Sequence, residues 1–190
     1  VKRAPLIRPF STATAFRRWL AVNHGRASDI WIKIHKKGSG KKTVSYAEAV
    51  DEALCFGWID AQKKPFDTTS WLQRFCPRRP RSVWSRTNTR NVERLISTKK
   101  MTPAGLREVE AAKKDGRWAR AYDSAATSKV PADFLSALAA QPKAKAFFET
   151  LNRANVYAIT YRLQTARKAE TRLRRMELIL DMLAKGKAFH

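Results

Sequence analysis

Between Thr68 and Val92 the chain carries six arginines (Arg74, Arg78, Arg79, Arg81, Arg86 and Arg90) and neither an acid nor a lysine. Arginine in such a run is chemically pointed. Its planar fork grips a phosphate through two bonds and also stacks on rings. Trp71, Phe75 and Trp84 are interleaved with the arginines, and Pro77 and Pro80 keep the segment extended rather than helical. Arg74, Arg78, Arg79, Arg81 and Arg86 therefore read as a strip for an anionic polymer, with nucleic acid as one candidate and the aromatics as stacking platforms. The competing reading buries the aromatics and spends the arginines on helix ends and on acids elsewhere in the chain. A second basic set, Lys168, Arg172 and Arg175, falls at i, i+4 and i+7 on one helical face. That face could lie along a phosphate backbone. It could equally be a solvated stripe beside a core face of Ala169, Leu173, Met176, Leu180 and Leu183.

Carboxylates offer less. Asp60, just beyond the Gly57-Trp58 turn, is the best general acid or base, and with Trp58 and Trp84 it makes a candidate pocket. Pairing of Asp60 and Asp67 with neighbouring arginines is the simpler use of both. His24, His35 and His190 show no metal-ligand spacing, so neither a metal nor a cofactor is expected. Nucleophile elbow, phosphate loop and dinucleotide fingerprint are all missing. The expectation is a non-catalytic binding protein. An enzyme acting at Asp60 on a phosphorylated substrate is the alternative, and a protein–protein adaptor using exposed tryptophans is the third class.

Charge supports a binding role. The 190 residues hold 39 Lys and Arg against 16 Asp and Glu, a net charge of +23. Pairing every acid would still leave 23 cations without an internal partner. Self-repulsion on that scale destabilises a fold unless an external polyanion offsets it. With 44% hydrophobic residues and six tryptophans the chain has enough apolar material for a core. Cys55 and Cys76 are too few for a disulfide framework, and reduced thiols are expected. No apolar run approaches the ~20 residues a membrane span needs. Arg17 and Arg18 stand where a secretory signal would be apolar. A cytoplasmic protein is expected, although the start at Val1 leaves a removed leader open.

These residues must be positioned by identifiable elements. Residues 11–24 read as a helix with Phe16, Trp19 and Leu20 on one face and Gly25 as its cap. Residues 31–35 read as a strand. Ser45 with Glu48 forms a capping box for a helix that Gly57 stops. Further strands are expected at 58–62 and 71–75, joined by a turn at Pro65 and Asp67. The expected fold is α+β: a three-stranded antiparallel sheet with helices over residues 1–100, then a helical lobe over 101–190. Asn88 would cap a helix to Thr98 with Val92, Leu95 and Ile96 inward. Thr102-Pro103 opens a helix ending near Asp115-Gly116, Pro131 and Pro142 open two more, and Asn152 starts a final pair. Residues 122–130 are the best linker.

Several motifs resemble the YdeI/OmpD-associated bacteriocin-protection family. They are EAVDEALCFGWID at Glu48 to Asp60, RFCPR at Arg74 to Arg78, and RSVWS at Arg81 to Ser85 followed by Asn88. Further on, Ala166, Glu170, Thr171, Arg172, Arg174 and Arg175 match the end of that family's small helical module, placed at about 130–186. Together these cover roughly residues 11–186. Ala61 and Lys99 stand where the family usually has Gly, Cys76 replaces Thr, and Arg167 replaces Lys. The resemblance implies a role in protection against bacteriocins or antimicrobial peptides. Many such peptides are cationic, and a +23 protein repels them. Protection through an anionic target or a partner protein fits the charge better than direct capture.

Overall fold

In the computed structural model, which describes residues 6–190, Thr12 opens the first helix by accepting the Ala15 N–H at 3.1 Å. Residues 1–5 of the anticipated first lobe lie outside the described residues. The chain divides into two compact units. One takes the described residues through Ser82 together with Asn88–Arg120, and the other takes Val83–Thr87 with Ala121–His190.

The first unit is α+β, with a four-stranded mixed sheet in place of the expected three-stranded antiparallel one. Its strands are β1 (Ile7–Pro9), β2 (Ile30–His35), β3 (Trp58–Asp67) and β4 (Ser70–Pro77), ordered β1-β2-β4-β3. β1 was not foreseen because three residues ending in proline carry no alternation. Its pairing comes from the open edge of β2, and it is parallel because helix α1 (Ala13–Asn23) carries the chain across between them. β3 continues through Pro65 to Asp67, so the hairpin turns at Thr68-Thr69 rather than at Pro65 and Asp67. Ile30, Ile32 and Ile34 alternate onto one sheet face and are fully buried with Phe75, which meets Phe16 of α1 at 5.5 Å. Trp31, Lys33 and His35 take the other face.

Helix α2 (Tyr46–Cys55) begins with the expected capping box. Gly57 ends it at φ 74°, where a side chain would be strained and would also crowd Ala104 and Glu108. The Cys55 carbonyl is taken up by the start of α4 (Pro103–Lys114), accepting from Thr102 N at 3.1 Å and Thr102 Oγ1 at 2.6 Å. Gly105 lets the helices approach this closely, since a Cβ there would sit 2.4 Å from the Cys55 oxygen. α1 ends at His24 in right-handed geometry, so Gly25 is not the left-handed cap. α3 runs Arg86–Ser97. Asn88 is therefore inside it rather than its cap, and Ile96 is exposed while Val92 and Leu95 are buried. Lys99 closes α3 in a Schellman arrangement at φ 55°, with Lys99 N bonded to Ile96 O and Lys100 N to Leu95 O, both at 2.9 Å.

Among its described residues the second unit packs α5 (Ala132–Ala139), α6 (Pro142–Glu149), α7 (Arg153–Gln164) and α8 (Ala169–Ala184) around Phe134, Leu138, Ile159, Leu163, Ile179, Leu180 and Leu183. Asn152, where the final helix pair was expected to begin, caps α7 by accepting the Asn155 N–H. Val83–Thr87 joins this unit through Tyr122 N to Trp84 O at 2.9 Å and Arg86 N to Tyr122 O at 2.8 Å. α8 keeps the expected core face in its C-terminal half, where Leu180 and Leu183 are buried and Met176 packs against the core, but not in its first turns. Ala169 and Leu173 face solvent, with Leu173 52% exposed, and the buried line is Ile179, Leu180 and Leu183. Long-range partners decide the phase, because Arg172 pairs with Asp133 of α5 and Arg175 donates to the Arg162 carbonyl of α7.

Candidate polyanion interface

The arginine run does not form a uniform strip. Arg74 leans on β2 and donates to Asp29 through Nε at 2.8 Å. Arg78 is buried at 7% exposure, and its backbone N–H reaches the Gly57 carbonyl at 3.0 Å. Arg86, in the second unit, is bridged to Asp123 at 3.1 Å and to the Ala121 carbonyl at 3.3 Å. Arg79 and Arg81 are exposed. On α8, Lys168 is exposed at the helix start, Arg172 is ion-paired with Asp133, and Arg175 donates to Arg162 O at 2.7 Å. The acids that meet Arg74, Arg86 and Arg172 lie 45, 37 and 39 positions away along the chain, so local spacing could not reveal them.

The residues of the Asp60 constellation have structural partners. Trp58 is buried edge-on to Trp19 at 5.8 Å and donates to the His24 carbonyl at 3.1 Å. Trp84 is buried as well. Asp60 accepts the Tyr46 hydroxyl at 2.7 Å. None of the six tryptophans is fully exposed, and Trp71 and Trp118 are half-buried. Both cysteines are free thiols, and burial pushes each thiol pKa upward. No group of three or more His, Cys, Asp or Glu that could hold a metal occurs among the described residues.

The cations that do come together are lysines, and sequence spacing alone passed over them. The β3–β4 hairpin and the loop after β2 share one end of the sheet, because His35 and Asp67 both stand opposite Ser70. Lys33, Lys63 and Lys64 stand on the strands at that end, Lys36 lines a cavity with Lys63 and Lys64, and Lys37, Lys41 and Lys42 follow in the loop after β2. Asp67 is the acid among them, 3.1 Å from Lys33 Nζ. The Ser70 hydroxyl, Lys33 and the Thr69 N–H hold its carboxyl well below the usual carboxylate range. No ion pair involves the other six lysines among the described residues. Three of these ammonium groups lie over rings: Lys64 over Trp31 at 4.4 Å, Lys33 over Phe66 at 4.4 Å and Lys63 over Trp71 at 5.0 Å. Their stems cover the apolar sheet surface while their heads stay wet. Phe66 is half exposed, and a cavity of about 520 Å³ opens beside Lys36, Lys63, Lys64, Asp67 and Trp71. The signal available in the sequence was three lysine pairs, 36–37, 41–42 and 63–64, flanking short β elements.

Residues 8–108, just over half of the chain, match the family model described as Domain of unknown function (DUF8412). The chain belongs to that family. The DUF8412 match contains the Glu48–Asp60, Arg74–Arg78 and Arg81–Ser85 motifs as well as the lysine-rich sheet end. A second model, Bacteriocin-protection, YdeI or OmpD-Associated, matches residues 127–186, the stretch that carries Ala166 to Arg175. The bacteriocin-protection likeness thus holds for the C-terminal helical module, and a DUF8412 segment precedes it. Neither the curated proteins nor the solved structures give a match. No helix among the described residues is long and apolar enough to cross a membrane.

Proposed function

We propose that this is a non-catalytic, strongly basic binding protein associated with bacteriocin protection. Its partner is an anionic polymer, nucleic acid, held on the lysine-rich end of the DUF8412 sheet. The observation that carries this reading is the lysine-rich sheet end, where Lys33 and Lys64 lie over Phe66 and Trp31 on one face, Lys63 lies over Trp71 on the other, and Asp67 pairs with Lys33. Ammonium groups beside rings suit single-stranded nucleic acid, in which phosphates meet cations and bases stack on aromatics. Lys33, Lys63 and Lys64 would move from the rings to the phosphates as bases take their places. Arg79 and Arg81 are kept as secondary contacts. Arg79 follows β4, whose eight residues carry it roughly 20 Å from the lysine cluster.

The enzyme alternative at Asp60 is set aside because that carboxylate is held by Tyr46 and the neighbouring Trp58 ring is buried. The proposal places the protein in the cytoplasm, where nucleic acid is available and the two thiols stay reduced. It would shield an anionic target rather than capture a cationic peptide. Fluorescence anisotropy with a labelled single-stranded oligonucleotide at a series of salt concentrations tests it. Six lysines without ion pairs predict a fall of log affinity with log salt of slope about 4, at about 0.7 per phosphate. Absence of binding at low salt, or binding indifferent to salt, would contradict it.

A further inference from the structure

The second unit holds a cavity of about 670 Å³, within the range of small-molecule sites. Leu178, Ile179, Met182 and Phe189 form its apolar lining, and Arg162 and Arg175 stand beside them. Leu178 is 58% exposed at its edge, a large aliphatic side chain left in solvent.

The wall on the Phe189 side is built rather than loose. Asn155, only 4% exposed, accepts the backbone N–H groups of both Phe189 and His190 at 3.0 Å, and its amide donates to Asn152 Oδ1 at 3.1 Å. Arg162 is stacked over the Phe189 ring at 3.7 Å and donates Nη1 to the Ala158 carbonyl at 3.1 Å. Arg175 spends Nη1 on the Arg162 carbonyl and on Thr165 Oγ1. Neither guanidinium has a carboxylate partner among the described residues, unlike Arg86 and Arg172 in the same unit. Their remaining N–H groups are donors fixed beside an apolar cavity.

We propose that this cavity binds a single-chain amphiphile with an anionic head, the alkyl chain lying along Leu178, Ile179 and Met182 and the head taken by Arg162 and Arg175. Charge complementarity selects the head group: two guanidinium groups held in place reward an anion, while an uncharged head would leave them uncompensated. The apolar lining selects the tail, since a small anion would gain nothing from Leu178 or Met182. Arg162, Arg175, Leu178, Ile179 and Met182 fall within the bacteriocin-protection match, with Phe189 just beyond it, and the site uses none of the lysines of the sheet end.

Calorimetric titration of the full chain with decanoate, below its micellar concentration, tests the site. The expected result is saturable one-to-one binding, at least tenfold weaker with decanol, and no competition from acetate. Leu178→Asp should weaken decanoate binding at least tenfold with an unchanged melting temperature, because the side chain is mostly in solvent. Leu135→Asp, also exposed, on α5 but outside the cavity, should bind as the wild type does. Unsaturable heats, equal affinity for decanol, or full binding by Leu178→Asp would each overturn the proposal.

Discussion

Lys99 occupies the left-handed region at φ 55°, where a Cβ costs about 1–2 kcal/mol and glycine costs far less. The resemblance had already marked this position as one where glycine is usual, and the Schellman bonds of Lys99 and Lys100 give the physical reason. Lys99→Gly is therefore expected to stabilise the protein by about 1 kcal/mol, read as a higher midpoint in urea with an unchanged slope. A lower midpoint would mean that the lysine side chain contributes more than its backbone conformation costs. Single residues were legible wherever the signal was local. The Ser45–Glu48 capping box, the Thr102 cap and the Gly57 stop all stand where spacing put them. Roles set by a distant partner were not legible. Asn88 looked like a cap, but the helix starts at Arg86, directly after Ser85, which is also a residue type that the cap position favours.

At the scale of elements, α8 shows why helical periodicity alone fails in a very basic chain. Leu173 and Leu180 share a face on a helical wheel, yet Leu173 is exposed and Leu180 is buried. The Arg172–Asp133 pair and the Arg175 bond to α7 fix the rotation, and both partners lie outside the helix. Leu173→Ala should accordingly change stability by no more than about 0.5 kcal/mol. Leu183→Ala, from a fully buried site, should cost about 2–5 kcal/mol through lost transfer energy and a cavity. Chemical melts that ranked the two the other way would place Leu173 in the core and contradict its exposure. β1 was hidden for a related reason. Three residues beside a proline form a strand only because β2 offers an unpaired edge, which is a property of the folded sheet rather than of the segment.

At the scale of the whole molecule, the excess charge was plain in the composition, but its distribution was not. Arginines drew attention because they are contiguous and acid-free in sequence. Yet Arg74 and Arg86 meet carboxylates, and Arg78 is buried. Lys36, Lys63 and Lys64 are scattered along the chain and come to line one cavity because β2, β3 and β4 share a register that brings their ends together. The proposed binding surface arises from this convergence rather than from net charge. Two triple variants separate those explanations by removing equal charge. One replaces Lys36, Lys63 and Lys64 with Gln, and the other replaces the exposed Lys143, Lys145 and Lys187 of the second unit. Affinity for a single-stranded oligonucleotide should fall at least tenfold in the first variant, with the salt slope reduced by about 2. The second variant should stay within about twofold of wild type. Equal losses in both, or no loss in the first, would contradict the claim.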